Sequence, residues 1–465
     1  MPRPEEQRKP EVLIVGAGPA GLVAAITLSR YSIPTLLVEK RVEISTLSRA
    51  TVISTRNMEI FRSWGLEEAV REGADDVEPL GWVTPTLASG SGVVIRLGYP
   101  TSAEAAEVSP TGPAWAPQDH LEPLLLRLLQ KTEHAEVRFG CELVELLQHT
   151  GGVTASLWDT ACGKTEQAQV RYVIGADGAH STVRGALGIG MNGADALAEF
   201  QMVQFEAPFS QLLGEHRYGL NIITNPDAPG VFVRRGRGDR WGYAREVRDV
   251  QERLDECPES RLVELIATAS GSVARPHIER VSTFRFAAQL AERYREQHCF
   301  LVGDAAHRMT PRGGTGMNTA IQDAYDLGWK LGFVLRGWVG TERLDSYEEE
   351  RRPVGEHNVT RSADPNGAEK QADEALAWDI NGRLPHHWLD HDGRTISTLD
   401  LLRDGLTLIV RPGDRRQRDA QASDISPPLS VHTVDETTAD KLGLPPRGGM
   451  LLRPDGKDYR GPAVR

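Results

Sequence analysis

The chain has only four cysteines in 465 residues, Cys141, Cys162, Cys257 and Cys299, and no CxxC pair. That excludes a disulfide-dense secreted scaffold and the common zinc modules, and makes a reducing, cytoplasmic compartment the expectation. Long hydrophobic runs are also missing. Val12 to Leu28, behind a charged leader, imitates a signal peptide, but Gly16, Gly18, Pro19 and Gly21 break it and a second strand-like run follows. No other segment approaches the length of apolar sequence that a membrane span needs. Nor is there an excess of basic residues: 53 Lys and Arg stand against 65 Asp and Glu, a net charge of −12. A net anion without a basic run is a poor match for a phosphate backbone, which argues against nucleic acid as a partner. What the chain does have is length for about three domains and 46 glycines, whose placement carries the functional reading.

Val12 to Val15 is a short, largely β-branched run of the kind that forms a buried parallel strand. It leads into Gly16-Ala17-Gly18-Pro19-Ala20-Gly21, then a helical pattern to Arg30, a turn, and a second strand ending in Glu39 and Lys40. Strand, glycine turn, helix, strand and acid are the full context of a dinucleotide fingerprint. The glycines allow a tight turn, backbone approach to a pyrophosphate and close helix packing; the acid can accept from ribose hydroxyls. The motif alone does not separate FAD from NAD(P).

Two further strands end in glycine and aspartate. Residues 171–175 lead into Ala176-Asp177-Gly178 and then the sequence AHSTVR; Cys299 to Val302 lead into Gly303-Asp304-Ala305-Ala306-His307. Pro311-Arg312-Gly313-Gly314-Thr315-Gly316-Met317-Asn318 then opens a long helix. Each strand places a carboxylate at a carboxyl edge, where open α/β sheets bind ligands. Asp304 there could accept from a ribityl hydroxyl. A glycine-rich helix start offers unpaired N–H groups and partial positive charge, suited to negative charge on a reduced flavin.

In this order the three motifs resemble those of the class A flavin-dependent aromatic hydroxylases, typified by para-hydroxybenzoate hydroxylase. GAGPAG with Glu39 is similar to that family's ADP-binding fingerprint, GADGAHSTVR to its second motif, and GDAAHRMTPRGGTGMNTAIQDAYDLGWKL to its third. The resemblance implies that Arg49 lies over the flavin, that Gln118 contacts the ribityl region and that Pro311 lies beside the substrate and the reactive flavin edge. DLGWKLGFVLRGW, LDSYEEERRPVG and the tail segments LPHHWL, DGLTLIV and GMLLRPDG resemble the subgroup that tailors aromatic polyketides and antibiotics. The resemblance implies FAD as cofactor, NADPH or NADH as a transient reductant, O₂ as co-substrate, and hydroxylation of an aromatic, polycyclic intermediate through a flavin C4a-hydroperoxide. Baeyer–Villiger or decarboxylative oxygenation on the same scaffold is an alternative, as are an FAD-linked reductase working without oxygen and a non-catalytic FAD- or product-binding protein.

Asp177 and Asp304 taken singly are ordinary turn residues; their register with the first motif favours the cofactor reading. His307 is expected to pack beside the flavin and hold a loop rather than act as acid or base. His386, His387 and His391 imitate a metal cluster, but no fourth ligand accompanies them, and no metal is expected. His216 and Tyr218, with Arg217, are candidates for a base in the substrate region. With no cysteine after Cys299, the tail is read as a structural or dimerisation element, and Lys457-Asp458-Tyr459-Arg460 departs from the Trp-Arg ending of the family. The protein is expected to be a monomer or homodimer.

The expected fold is α/β. A Rossmann-type (GR2-like) FAD-binding domain takes residues 1–80, 115–190 and 290–360. An inserted α+β substrate domain takes 81–114 and 191–289, and a small thioredoxin-like domain without CxxC takes 384–465. Residues 363–380 are read as a linker or exposed helix.

Overall fold

The computed structural model describes residues 9–47, 50–248, 253–391, 393–413, 426–446 and 448–459. Val12–Val15 is fully buried at the centre of a six-stranded sheet, paired in parallel with Thr35–Glu39 on one side and Tyr172–Gly175 on the other. Cys299–Leu301 continues the parallel set beyond Tyr172–Gly175, and Ala135–Phe139 beyond Thr35–Glu39. Parallel strands need both faces covered, which is why the central Val12–Val15 is apolar throughout, whereas Ala135–Phe139 at the edge alternates, with Glu136 and Arg138 between apolar residues. The chain direction then brings Gly16, Glu39, Asp177 and Gly303 to the same carboxyl edge, so the three motifs meet there.

Two helices cover the sheet next to this edge. Pro19–Arg30 packs against Thr315–Leu335, a helix buried along most of its length. They cross where Gly328 and Gly332 lie against Thr27 and Tyr31: a Cβ on Gly328 would stand 2.7 Å from Thr27 Cβ, and one on Gly332 2.4 Å from Tyr31 Cδ2. No larger residue fits that crossing.

A second sheet has eight strands, centred on the long antiparallel pair Met191–Glu206 and His277–Ala291. Its strand Glu78–Thr84 lies wholly within it, so the boundary read at residue 81 falls inside a strand. His307–Arg308, from the third motif, pairs with Gln289 and Leu290 at this sheet's edge. The third motif therefore passes from one sheet to the other.

The tail from about 384 forms a hairpin, Trp388–His391 with Arg394–Ser397, and a three-stranded sheet with Leu406–Val410 in the middle. Its turn Arg453–Lys457 returns to the long helix and the one after it: Tyr325 Oη donates to the Pro454 carbonyl at 3.1 Å, and Arg453 pairs at 2.7 Å with Glu350 of the Asp345–Ala363 helix. Tyr459 N–H donates to Leu451 O at 2.8 Å and its ring lies under Arg343, which gives the departing tail ending a packed place; Arg460 is outside the described residues.

Of the two readings of residues 363–380, linker or exposed helix, the helical one holds, though one face of the helix is covered. Ala372–Ile380 is a helix docked on Thr55–Ser63, with Asp379 accepting the Arg56 N–H at 3.0 Å and Gln322 Nε2 at 2.8 Å. Its Asp, Ala and Glu composition hid an inward stripe at helical spacing, the buried Ala372 and Ala375 and the half-buried Asp379. Among the described residues no helix is long and apolar enough to cross a membrane.

Candidate active site

Within the first motif the glycines divide by what surrounds them. A Cβ on Gly16 (φ +105°) would stand 2.4 Å from Ala176 O, and one on Gly21 1.9 Å from Gly16 O, so both seat the turn and helix against neighbouring backbone. At Gly18 a Cβ meets no protein atom within 4 Å, and the same holds at Gly178. Those two are the open positions of the cradle. Gly18 caps the Pro19–Arg30 helix without any side-chain cap, leaving first-turn N–H groups for an anion. Pro19 occupies the first turn, and Ala20 is buried against the Gly303 turn. This shape fits the pyrophosphate of a dinucleotide.

Glu39 folds back on the loop: Oε2 accepts the Ala17 N–H at 2.9 Å and Oε1 the Arg41 N–H at 3.0 Å. A carboxylate has about four acceptor positions, so this brace leaves room for ribose hydroxyls. Lys40 beside it is exposed. Asp177 caps its own turn, accepting from Ser181 Oγ at 2.5 Å and Val183 N–H at 3.0 Å. Asp304 is exposed at the mouth of the third motif.

The Thr315–Leu335 helix likewise begins on a glycine, Gly314 (φ +65°), with no side-chain cap. Asn318 works behind it. Its Oδ1 accepts from Ser54 N–H and Asn57 Nδ2, both at 2.8 Å, while Nδ2 reaches Val52 O, Tyr99 Oη and Gly314 O at 3.0–3.1 Å. The side chain is fully engaged in holding the helix start, and Gly316, whose Cβ would have only Met309 at 3.9 Å, is the position there that faces open space. Met317 is half-buried against the core. Gln118 opens its helix, donates its N–H to Ala50 O at 2.8 Å and its Nε2 to Glu122 at 2.6 Å. Arg49 lies outside the described residues; Gln118 holds the residue next to it.

Pro311 is exposed on the loop before Gly314, and Arg312 beside it stands 5.3 Å over the Phe286 ring. Phe286 stacks on Phe200 at 4.2 Å, and Phe200 pairs across strands with Phe284. These rings begin an apolar wall. Cross-strand partners share a face, and one face runs from Phe284 and Phe200 through Met202, Ala244, Val231 and Ile222. All but Ala244 are only half-buried. The opposite face, with Val203, Tyr243 and Phe232, is fully buried on the Glu259–Ser270 helix. Five adjacent strands at about 4.8 Å spacing make the open face about 19 Å wide.

His216 stacks on Trp82 at 4.2 Å, and the Tyr218 ring lies 5.9 Å from Trp82 and 6.2 Å from His216, so Trp82 is the aromatic packing partner of both candidates. His386 Nδ1 meets Ser397 Oγ at 2.7 Å and His391 Nε2 meets His432 at 3.4 Å. The residues that sequence reasoning passed over are polar and buried: Asp323, Tyr99, and Glu59 between Arg56 and Arg383. Burial alone would raise Glu59, but the two guanidinium groups outweigh it and hold the carboxyl low. The available signal was the polar series Thr319, Asp323, Asp326 and Lys330, which recurs at helical spacing along a largely apolar helix.

A family model for an FAD-binding domain matches residues 9–362, and one for an aromatic-ring hydroxylase C-terminal domain matches 381–457. The chain belongs to the FAD-dependent aromatic-ring hydroxylases. It is 33% identical to tetracenomycin B2 monooxygenase-dioxygenase of Streptomyces olivaceus, over 96% of this chain and 94% of that protein. It is 30% identical to aklavinone 12-hydroxylase RdmE of Streptomyces purpurascens, with the same coverages. The flavin-dependent monooxygenase PieE, solved with FAD and substrate, superposes with a TM-score of 0.86 at 28% identity, covering 97% of this chain and 95% of that one. Aklavinone-11 hydroxylase with FAD and aklavinone gives 0.84 at 29%, covering 96% and 94%. This hydroxylase is therefore an FAD monooxygenase of aromatic compounds, with NAD(P)H and O₂ as co-substrates.

Proposed function

We propose that the substrate is a flat polycyclic aromatic intermediate of polyketide type, hydroxylated at a carbon presented beside Pro311. The observation that carries this is the apolar face from Phe284 to Ile222, about 19 Å wide and half-buried where its reverse is sealed. A single small phenol would leave most of that face wet, and a multi-ring system would cover it. The relatives named for tetracenomycin and aklavinone chemistry support the same class.

FAD, when bound, supplies acceptance of a hydride from NAD(P)H and activation of O₂. The residues proposed to hold it are Gly18, Gly178 and Glu39 at the dinucleotide end, Asp304 at the ribityl chain, and the helix start at Gly314 and Gly316 by the ring, with Arg49 and Gln118 from the resemblance. The protein's own tasks are orientation and exclusion of water. The wall orients the rings through apolar contact, and the Pro311–Arg312 loop closes the end where the two sheets meet. His216 and Tyr218 pack on Trp82, whose strand partner Asn221 shares the face of Phe232, so they lie on the reverse of the wall and are given no proton to take in this scheme.

The test is NADPH oxidation and oxygen uptake by the purified holoenzyme with a panel of polycyclic and single-ring phenols, followed by product mass. A polycyclic phenol should stimulate turnover and gain one oxygen. Stimulation by single-ring phenols alone contradicts the proposal, and loss of carbon dioxide or ring expansion would reassign the outcome to decarboxylative or Baeyer–Villiger oxygenation.

A further inference from the structure

Beneath the third motif lies a buried charged network with no place in the scheme above. Asp323, fully buried on the third turn of the long helix, uses both carboxylate oxygens. Oδ2 meets His307 Nε2 at 2.5 Å and accepts the Gly303 N–H at 3.3 Å; Oδ1 accepts Arg351 Nε at 2.8 Å. Gly303 adopts φ +61° and a Cβ there would stand 2.9 Å from Ala320, so the turn is seated on the same helix that carries Asp323. On the other side Arg184 Nη1 donates to Ala305 O at 3.0 Å. The five residues 303–307 are thus clamped at both ends by Asp323, and Asp304 is the residue they present outward.

We propose that Asp323 is a positioning residue for the cofactor: through Gly303 and His307 it fixes the loop that delivers Asp304 to the flavin's ribityl chain. Burial alone would raise the Asp323 carboxyl, and His307 and Arg351 outweigh that and hold it low, so the carboxylate is present as an acceptor. A buried ion pair is weak evidence for stability, since apolar replacements are often neutral or better. What this one adds is directional: two bonds, from Gly303 and His307, set the height and tilt of one short loop, and a third, from Arg351, holds the carboxylate in place. The same helix carries a second buried pair, Lys330 with Asp326 at 2.7 Å, that touches no part of the loop and provides the comparison.

This inference rests on the assignment of the 303–307 loop to FAD. Asp323→Asn, His307→Asn, Lys330→Met and Asp304→Ala are each freed of flavin and titrated with FAD, and the reconstituted proteins' two-electron potential is measured. Asp323→Asn and His307→Asn should raise the FAD dissociation constant ten- to hundredfold. They should also move the potential, a tenfold inequality between oxidised and reduced FAD being about 30 mV. Lys330→Met should lower the melting temperature and leave both FAD readouts within twofold of wild type. If Asp323→Asn does not fold, His307→Asn, which keeps the Asp323–Arg351 pair, decides alone. Loss of FAD affinity in Asp304→Ala with none in the foldable Asp323 and His307 variants overturns the inference and leaves the loop's assignment standing. Unchanged affinity in all of them overturns both, and equal losses in Lys330→Met reduce Asp323 to a stability role.

Discussion

Arg184 Nη1 donates to the Ala305 carbonyl at 3.0 Å while its Nη2 donates to Ala179 O at 2.9 Å, so one guanidinium ties the second nucleotide motif to the third. The two motifs are more than 100 residues apart in sequence and adjacent strands in space. Removing this tie by Arg184→Met should weaken FAD binding by about 1–3 kcal/mol, the cost of two charge-assisted bonds. Flavin titration of the apoprotein checks it; an unchanged dissociation constant would show that the strands alone hold the loops.

Gly18 and Gly21 should fail in different ways. Gly18→Val points into space that no protein atom fills, so the variant should fold with a normal melting temperature and purify colourless. Gly21→Val drives its Cβ into Gly16 O and should lose about 1–3 kcal/mol or more of stability. The flavin-to-protein absorbance ratio, read beside a thermal melt, separates the two; a yellow Gly18→Val protein contradicts the cradle.

The two faces of the large sheet give a paired prediction. Val231→Trp, on the open face, should suppress substrate-stimulated NADPH oxidation while flavin content and melting temperature stay close to wild type. Phe232→Ala, one residue on and fully buried, should cost about 3–5 kcal/mol of stability. If Val231→Trp leaves the KM for every stimulating aromatic unchanged, the open face is not the substrate wall.

Docking of the tail should weaken in acid. Burial alone would raise Glu350, but Arg453 and Lys330 hold it at about 2; Arg453 likewise holds Asp455 at about 2 against burial. A carboxyl with a depressed folded value stabilises the fold above its unfolded value and loses that contribution as pH falls toward the folded one. The melting temperature should therefore drop between about pH 4.5 and 2, partly offset by Asp326, which burial raises. Arg453→Met should flatten the drop; an unaltered acid limb would place the acid-sensitive contacts elsewhere.

The nucleotide edge was legible because its determinants are local. Val12–Val15, the glycine turn and Glu39 act within one strand–helix–strand unit, and their spacing survives in the linear order. Sheet boundaries were less so: Leu80 and Gly81 sit in mid-strand because pairing with Arg96 on the next strand and with Leu220, distant in sequence, decides the extent of that strand. The docking of residues 372–380 was hidden for a related reason, since a helix rich in Asp, Ala and Glu reveals its inward stripe only when its partner, Thr55–Ser63, is known. Asp323 gave no local sign of its task either, because His307 and Arg351 reach it from separate elements.

The alternation of the large sheet has an evolutionary consequence. Residues such as Met202, Val231 and Ile222 are offset by one position from Val203, Phe232 and Ile223, which hold the sheet to its helix. Pocket shape and fold stability are thus encoded in interleaved, nearly independent sets of codons. New ring systems could be accommodated by drift at one set while the other stays fixed, so a lineage can diversify its substrates without passing through unstable ancestors.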